Sequence, residues 1–187
     1  MAFLITISGS LGSGKSTVAR LLAERLGYTY YSTGMAQRKI AEQRGLTTLE
    51  LNAAAELDKT IDAQIDGVFE KLVRENKNYV VDSRLGFFFI PSSFKVMLTA
   101  SAEVAGKRIL NDTSRQGERR YSDAAAAVKA LLERRALEVE RFKTIYGVDI
   151  EDFSQFDLVI QTDCLTPEDI CNQILASFKR FQKHQNQ

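Results

Sequence analysis

The chain has 187 residues, of which 44% are hydrophobic and 26% charged, a composition that favours one soluble globular domain with a sizeable core. Its 25 basic and 24 acidic side chains nearly cancel, which argues against a general attraction to nucleic acid or to anionic membranes. Two cysteines, no apolar stretch long enough to span a bilayer and no signal-peptide pattern lead us to expect a cytoplasmic protein with no membrane or nucleic-acid partner.

A phosphate-binding motif follows the first predicted strand, Phe3–Ile7. Residues 9–16 read Gly-Ser-Leu-Gly-Ser-Gly-Lys-Ser, which is the P-loop pattern G-x-x-x-x-G-K-[ST]. A helix that ends at Gly27 follows the motif, marked by apolar residues at helical spacing: Val18, Leu21, Leu22 and Leu26. This strand–loop–helix context favours a nucleoside triphosphate site over a Gly/Ser-rich turn that binds nothing.

The physical basis of this prediction is a convergence of backbone N–H groups on one anion, helped by the helix dipole. Lys15 would reach the β- and γ-phosphate oxygens, and the Ser16 hydroxyl would bind Mg²⁺. The predicted nucleotide-binding residues of the loop are Gly9, Gly12, Ser13, Gly14, Lys15, Ser16 and Thr17.

A second strand is predicted over Tyr28–Tyr31, followed by a capping sequence, Ser32-Thr33-Gly34, and a helix over Met35 to about Arg44. Arg38 lies one turn into that helix, where it could reach the ligand crevice at the carboxyl ends of parallel strands. The alternative is a solvated surface arginine.

The next helical stretch runs from Leu46 to about Glu75 and carries an apolar stripe. Its polar side is formed by Asn52, Glu56, Asp58 and Asp62. Taken alone, these residues read as a solvated face.

A third strand, Tyr79–Asp82, ends in a carboxylate beside the P-loop, a position that commonly orients Mg²⁺ or its water shell. Arg84 follows at the same rim, so an ion pair from Asp82 to Arg84 or Lys15 is a compatible alternative. The apolar stretch Leu85–Ile90 is interpreted as core packing rather than a pocket wall.

The rest of the chain continues the alternation of strands and helices. A fourth strand, Phe94–Thr99, and a helix, Ala102–Asn111, precede a polar, arginine-rich segment, Asp112–Arg120. A fifth strand, Asp157–Gln161, precedes a final helix from Pro167 to about Phe181. Alternation of this kind predicts a five-stranded parallel sheet with helices on both faces. The candidate binding residues then lie at the carboxyl ends of the strands and converge on one crevice.

A long helix, Asp123–Tyr146, is predicted between the arginine-rich segment and the fifth strand. Its expected buried stripe is Val128, Leu131, Leu132, Val139 and Phe142. Arg134 and Arg141 are two turns apart and share a face, with Arg135 close by. Glu138 lies between them, so plain i,i+3 and i,i+4 ion pairs are the alternative to a functional arginine cluster.

Together these residues favour phosphoryl transfer, which needs two anions brought into line and their charge neutralised. Arg38 and Arg84 are placed to hold a second, phosphate-bearing substrate. No histidine or cysteine is placed to act as a nucleophile, which argues against covalent catalysis.

The chain resembles the nucleoside monophosphate kinases, and within them the cytidylate kinases of the short, archaeal-like type. Asp82-Ser83-Arg84-Leu85 is similar to the family's Asp-Gly-Arg-Leu. Residues 141–149, with Arg141-Phe142-Lys143 and Tyr146-Gly147-Val148-Asp149, are similar to its Arg-Tyr-Lys…Tyr-Gly-Ile-Asp. Residues 5–9 leading into the P-loop, residues 32–34 with Arg38, and residues 156–160 extend the resemblance over nearly the whole chain.

The resemblance implies a three-layer P-loop kinase fold in a single domain of residues 1–187, with monophosphate-binding helices at about 34–76 and a lid at about 112–122. It also implies transfer of the ATP γ-phosphoryl group to CMP or dCMP, with Mg²⁺, by a monomer. The implied catalytic residues are Lys15, Arg115, Arg135 and Arg141. Arg108 would lie near the ATP base, Ser16 and Asp82 at the metal, and the acceptor would be held by Ser32, Gly34, Arg38, Asn52, Asp58, Asp82 and Arg84.

Two departures from the family pattern concern the acceptor. Ser83 replaces a glycine, and Phe87-Phe88-Phe89 is more apolar than the segment the family often has there. Another nucleotide or a small alcohol therefore stays open as acceptor. A nucleotide-binding regulator with little turnover is the remaining alternative, although a pure binder has no need of so many arginines.

Overall fold

The computed structural model describes residues 2–46, 50–51, 59–112 and 121–185. Its strands are β1 (Leu4–Gly9), β2 (Thr29–Ser32), β3 (Tyr79–Asp82), β4 (Phe94–Thr99) and β5 (Leu158–Gln161). Its helices are α1 (Lys15–Leu26), α2 (Thr33–Gln43), α3 (Lys59–Arg74), α4 (Gly86–Phe89), α5 (Ala102–Asn111), α6 (Ala124–Tyr146) and α7 (Pro167–Gln185), with a 3₁₀ turn at Phe153–Gln155.

The five strands form one sheet in the order β2-β3-β1-β4-β5, and every neighbouring pair is parallel. Ile7 lies opposite Asp82, and Asp82 lies opposite Ser32, so the carboxyl ends of β1, β2 and β3 are level. The register confirms the predicted parallel sheet and brings the P-loop, Ser32 and Asp82 to one edge.

Alternate strand residues face different helices, as the pleat of a strand requires. Ile5, Ile7 and Val80 pack in the largest core cluster, with side chains of α1 and α7. Tyr79 and Val81 point to the opposite face, where they pack with Phe69 and Leu72 of α3. Helices therefore cover both faces of the sheet, which confirms the predicted three-layer architecture.

Local sequence signals set the ends of the early helices. Gly27 ends α1 in the left-handed conformation, with φ +64°, because glycine has no Cβ to oppose it. Ser32 caps α2 by accepting a hydrogen bond from Met35 N at 3.4 Å. At the other end of the chain, α7 continues to Gln185, past the predicted end at Phe181, and includes His184.

The predicted buried stripe of α6 is wrong at Leu132. Leu131 is 6% exposed and packs with Ala105 and Ile109 of α5, whereas the neighbouring Leu132 is 51% exposed. At this level of the helix, packing against α5 buries a narrower face of α6 than the hydrophobic pattern suggests. Among the described residues, no helix combines the length and the apolar composition that a membrane span requires.

Candidate active site

Glycine is required by the shape of the loop between β1 and α1. Gly9, Gly12 and Gly14 have φ of +147°, +78° and +87°, a region that L side chains rarely adopt. A Cβ on Gly12 would lie 2.7–2.8 Å from atoms of Ala105, and a Cβ on Gly9 would clash with the carbonyl of Leu98. The loop therefore passes closer to β4 and α5 than any residue with a side chain could.

Side chains from distant parts of the chain brace this loop from behind. Arg108 donates to the Gly12 carbonyl at 3.3 Å, to Thr162 Oγ1 at 2.9 Å and to the Thr162 carbonyl at 2.7 Å. Thr162, which is fully buried, places the same Oγ1 3.2 Å from the Ser13 carbonyl. Ser13 closes the loop internally by donating from Oγ to the Ser10 carbonyl at 2.8 Å.

Lys15 is the first residue of α1, and its side chain lies against the P-loop. Its Nζ lies 3.4 Å from the Ser10 carbonyl, and the residue is half-buried. The ammonium group is thus held over the concave loop, at the N-terminal end of the α1 dipole, where phosphate oxygens are favoured.

Asp82 is the centre of a hydroxyl cluster at the end of β3. The residue is 5% exposed, and its Oδ2 accepts hydrogen bonds from Ser16 at 2.6 Å, Tyr30 at 3.1 Å and Ser32 at 3.5 Å. Burial, and then the negative charge of Asp82, raise the pKa of the Tyr30 hydroxyl, so it stays a donor.

The partners of this buried carboxylate, within the described part of the chain, are hydroxyl groups and no cation. A buried carboxylate without a countercharge is costly, and pairing with a metal ion relieves that cost. Asp82 and Ser16 supply oxygen ligands of the kind Mg²⁺ prefers, and Mg²⁺ commonly completes its shell with phosphates and water. The donor set therefore fits a magnesium ion, although the ranges described contain no cluster of three or more His, Cys, Asp or Glu suited to an all-protein metal site.

Arginines line the other side of the crevice, each held by a carboxylate. Arg84 and Arg134 both pair with Glu138, from Nε at 2.7 Å and 3.1 Å, and Arg135 pairs with Glu151 from Nε at 2.9 Å. The i,i+4 pair of Arg134 and Glu138 was the structural alternative offered by the sequence, and it is present. Arg84 pairs with Glu138 rather than with Asp82, so the ion pair between Asp82 and Arg84 that the sequence left open as an alternative is not formed.

Two adjoining cavities open against α6, and the smaller of them also borders the P-loop. The smaller, of about 30 Å³, is lined by Gly9, Ser10, Arg84, Met97, Leu98, Thr99, Arg135, Glu138, Ile150 and Phe153. The larger, of about 90 Å³, is lined by Thr33, Gln37, Asp66, Phe69, Ser83, Arg84, Leu85, Phe89, Arg134, Glu138, Arg141, Phe142 and Tyr146. We call them the donor-side and acceptor-side cavities. Arg84 and Glu138 lie on the wall of both.

The remaining predicted site residues are distributed as follows. Arg141 lines the acceptor-side cavity, and Arg135 the donor-side cavity. Arg38 is exposed on α2 and lines neither of these two cavities, and its Nη1 lies 3.7 Å from the position of a Cβ on Gly34. Asn52, Asp58 and Arg115 lie outside the described residues.

Sequence reasoning missed two residues of the crevice. Glu138 was considered only as a partner for neighbouring arginines on its own helix, and Asp66 was not considered at all. Asp66 accepts hydrogen bonds from Tyr146 Oη at 3.0 Å and 3.3 Å. The signal that could have found Asp66 is its position one turn before the buried Phe69, on the same face of α3.

Comparison with known proteins places this geometry among the kinases. The model of a family described as the cytidylate kinase-like family matches residues 4–164. The chain is 36% identical to a cytidylate kinase of Sulfurisphaera tokodaii over 185 residues, covering 98% of each chain. It is 38% identical to a cytidylate kinase of Natronomonas pharaonis over 169 residues, covering 89% of this chain and 84% of that one. Among solved structures, a shikimate kinase of Acinetobacter baumannii shares the fold, with a TM-score of 0.57, 20% identity and coverage of 94% and 92%.

Proposed function

Because the chain belongs to the cytidylate kinase-like family and is a nucleoside monophosphate kinase with ATP as donor, we propose that its acceptor is CMP or dCMP and its product CDP or dCDP. The observation that carries this proposal is the pair of cavities joined at Arg84 and Glu138, one against the P-loop and one against aromatic side chains. That arrangement suits an acceptor phosphate directed at the γ-phosphoryl group of ATP.

On the donor side, the backbone N–H groups of the P-loop and Lys15 hold the phosphates of ATP. Mg²⁺ would be held by Ser16 Oγ and the Asp82 carboxylate, and it would neutralise charge on the β- and γ-phosphate oxygens. Tyr30 and Ser32 orient the carboxylate by donating to the same Oδ2. We place the acceptor phosphate beside the Asp82 carboxylate, next to Ser32 and Gly34.

On the acceptor side, Arg84 and Arg141 bind the monophosphate while Arg135 meets the γ-phosphoryl group. Arg134 and Arg135 each donate from Nε to a carboxylate, and Arg84 Nε lies 2.7 Å from Glu138, so the terminal nitrogens of these guanidinium groups can face incoming phosphate oxygens. An acceptor phosphate oxygen attacks the γ-phosphorus, the bond from that phosphorus to the β-bridging oxygen breaks, and ADP leaves with that oxygen. Neither cavity is lined by histidine or cysteine, consistent with direct transfer.

The test is a panel of acceptors assayed for ADP formation with ATP and Mg²⁺. CMP or dCMP should give the highest kcat/KM, above UMP, AMP and shikimate. A higher kcat/KM with shikimate would establish an alcohol acceptor instead. If no acceptor stimulates ADP formation, the protein is a nucleotide-binding regulator and the proposal is wrong.

A role for Arg38 in acceptor binding is proposed from its place in α2 one turn after Gly34, with Nη1 3.7 Å from the position of a Cβ on Gly34. Arg38→Ala should raise the KM for CMP about tenfold, as loss of a charged hydrogen bond does, and leave the KM for ATP unchanged. Lys39→Ala, at the exposed neighbouring position, is the matched control. An equal rise in both KM values would remove Arg38 from the acceptor site.

We also propose that residues 1–187 act as one monomeric domain in the cytoplasm, with monophosphate-binding helices at about 34–76 and a lid at about 112–122. Light scattering should give the molar mass of one chain in solution, both with and without nucleotides. A dimer would contradict it.

A further inference from the structure

One buried hydroxyl group joins the P-loop to the segment that follows β5. Thr162 is 0% exposed, and its Oγ1 lies 3.2 Å from the Ser13 carbonyl and 3.0 Å from the Thr99 carbonyl. Arg108 donates to the same oxygen from Nη1 at 2.9 Å. A single threonine side chain therefore contacts the P-loop, the end of β4 and an arginine of α5.

The hydroxyl of Thr162 has one hydrogen for these two carbonyls, so it is shared between them. The Thr99 carbonyl also accepts from the backbone N–H of Thr162 at 2.8 Å. Thr99 thus keeps a donor whichever way the hydroxyl turns. The hydroxyl can therefore serve the Ser13 carbonyl without leaving the strand end unpaired.

Holding the Ser13 carbonyl also fixes the direction of the next backbone N–H. The bond between Ser13 and Gly14 is a trans peptide, so the carbonyl of one and the N–H of the other point to opposite sides of one rigid plane. Gly14 is the N-cap residue of α1, a position whose N–H has no acceptor within a helix. Such N–H groups are the ones that a P-loop presents to phosphate.

We propose that Thr162 is a positioning residue of the donor site, which orients the Gly14 N–H toward the phosphates of ATP by holding the Ser13 carbonyl from behind. The inference rests on the proposed role of the P-loop as the ATP phosphate site. Because the Thr162 hydroxyl is fully buried, it does not touch the nucleotide itself. Its effect on ATP therefore passes through the loop.

Arg108 strengthens the same brace at the neighbouring peptide. It donates to the Gly12 carbonyl at 3.3 Å from Nη1 and to the Thr162 carbonyl at 2.7 Å from Nη2. The planar fork of a guanidinium meets such separated acceptors together, which the single ammonium group of a lysine does not. The carbonyls of two successive loop residues, Gly12 and Ser13, are thus both held from the side of α5 and β5.

A buried hydroxyl that only stabilised the fold would behave differently, and Thr6 provides that comparison. Thr6 is also 0% exposed and lies in β1 of the same sheet. Its Oγ1 shares a hydrogen bond of 2.9 Å with Ser93 Oγ, outside the P-loop. Replacing either threonine by valine removes a buried hydroxyl and keeps the shape of the side chain, but only Thr162 contacts the loop carbonyl.

The experiment measures the KM for ATP and for the acceptor, the Kd of ADP by calorimetry without acceptor, and the urea midpoint of unfolding. Thr162→Val should raise the KM for ATP and the Kd of ADP about tenfold, because a charge-assisted hydrogen bond to phosphate is misdirected, and leave the KM for the acceptor within about twofold. Thr162→Ser returns the hydroxyl and should restore both nucleotide values. Thr6→Val should lower the urea midpoint and leave both nucleotide values as in the native protein.

The outcomes separate this inference from the P-loop assignment. If Thr162→Val lowers the urea midpoint but leaves the KM for ATP and the Kd of ADP unchanged, the hydroxyl only stabilises the fold and the inference is overturned. An equal rise of both values in Thr6→Val also overturns it, since loosening of the sheet would then be the cause. If the native protein binds neither ATP nor ADP, the P-loop assignment itself fails. Should Thr162→Val not fold, as judged by circular dichroism, Arg108→Lys decides: it keeps the charge without the fork, and an unchanged KM for ATP overturns the inference.

Discussion

The two sides of the crevice are held in different ways. On the donor side, the P-loop is shaped by backbone torsions that need glycine, and its carbonyls accept hydrogen bonds from Arg108, Thr162 and Ser13. On the acceptor side, guanidinium groups are held by carboxylates, two of them by Glu138 alone. The donor side is fixed by backbone torsions and hydrogen bonds to neutral acceptors, and the acceptor side by ion pairs.

This difference matches what each side has to recognise. The triphosphate of ATP is the same in every turnover, so a cradle of N–H groups in a fixed shape costs no rearrangement when it binds. In the proposed function the arginines meet the charge of the acceptor phosphate, and ion pairs through Nε would leave the terminal nitrogens of Arg84 and Arg135 to face it. The predictions below perturb the two sides in turn.

The largest effect is expected for Lys15→Ala on the donor side. Loss of a preorganised positive charge at the transferring group should lower kcat by at least about 10²–10³. The fold should persist, because Lys15 lies outside the buried core and the contact of its Nζ to the Ser10 carbonyl is long, at 3.4 Å. Lys107→Ala, at an exposed lysine paired with Glu103, is the control. Activity within tenfold of the native protein would contradict the P-loop assignment.

Gly12→Ala should break the shape of the donor side. The new Cβ would lie 2.7–2.8 Å from Ala105 at a φ of +78°, so both contact and torsion are unfavourable. We expect the free energy of unfolding to fall by about 2–4 kcal/mol, measured in urea, together with weaker ATP binding. Gly27→Ala shares the positive φ, +64°, but its Cβ would meet nothing within 4 Å. It should cost about 1 kcal/mol and leave ATP binding intact; equal losses in both variants would exclude the close approach as the cause.

Glu138→Ala tests the acceptor side. Without this carboxylate Arg84 and Arg134 lose their common anchor, so the KM for CMP should rise about tenfold while the KM for ATP changes little. Glu138→Gln keeps a hydrogen-bond acceptor, so its KM for CMP should lie between those of the native protein and of Glu138→Ala. If Glu138→Ala instead binds CMP more tightly, the carboxylate competes with phosphate and does not position the arginines.

The smallest effect is expected away from both sides, at the amino end of β3. A hydrogen bond to Glu75 raises the pKa of Tyr79 to about 12. The unfolded chain loses this proton near pH 10. The stabilisation it gives is therefore complete below pH 10 and is lost as the pH rises toward 12. Tyr79→Phe should remove that part of the alkaline loss, seen in urea unfolding at pH 9 and pH 11, with activity at pH 8 unchanged. An identical alkaline loss in the variant would exclude Tyr79 as its source.

Local patterns were sufficient to predict the fold. The P-loop residues, the serine cap of α2 and the β-branched strands each encode structure within a few neighbouring residues, and the parallel sheet follows from their alternation. The residues assigned to substrate contacts remain predictions, because they depend on ligands as well as on the fold.

What the sequence could not provide are contacts between helices distant in the chain. Asp66 and Tyr146 are 80 positions apart, and each alone looks like an ordinary residue of a helix surface. The spacing of Glu138 predicted its ion pair with Arg134, but not the pair with Arg84, which follows the end of β3. Phe89 was interpreted as core, and only the packing of α3, α4 and α6 shows that it lines a cavity.

The link from Thr162 to the Ser13 carbonyl spans 149 positions. During translation, the nucleotide loop leaves the ribosome well before the hydroxyl that braces it, which follows β5. A nascent chain that stops before β5 carries the entire phosphate-binding motif without the Thr162 contacts that brace it. The fully braced loop is thus completed late, once β5 has docked.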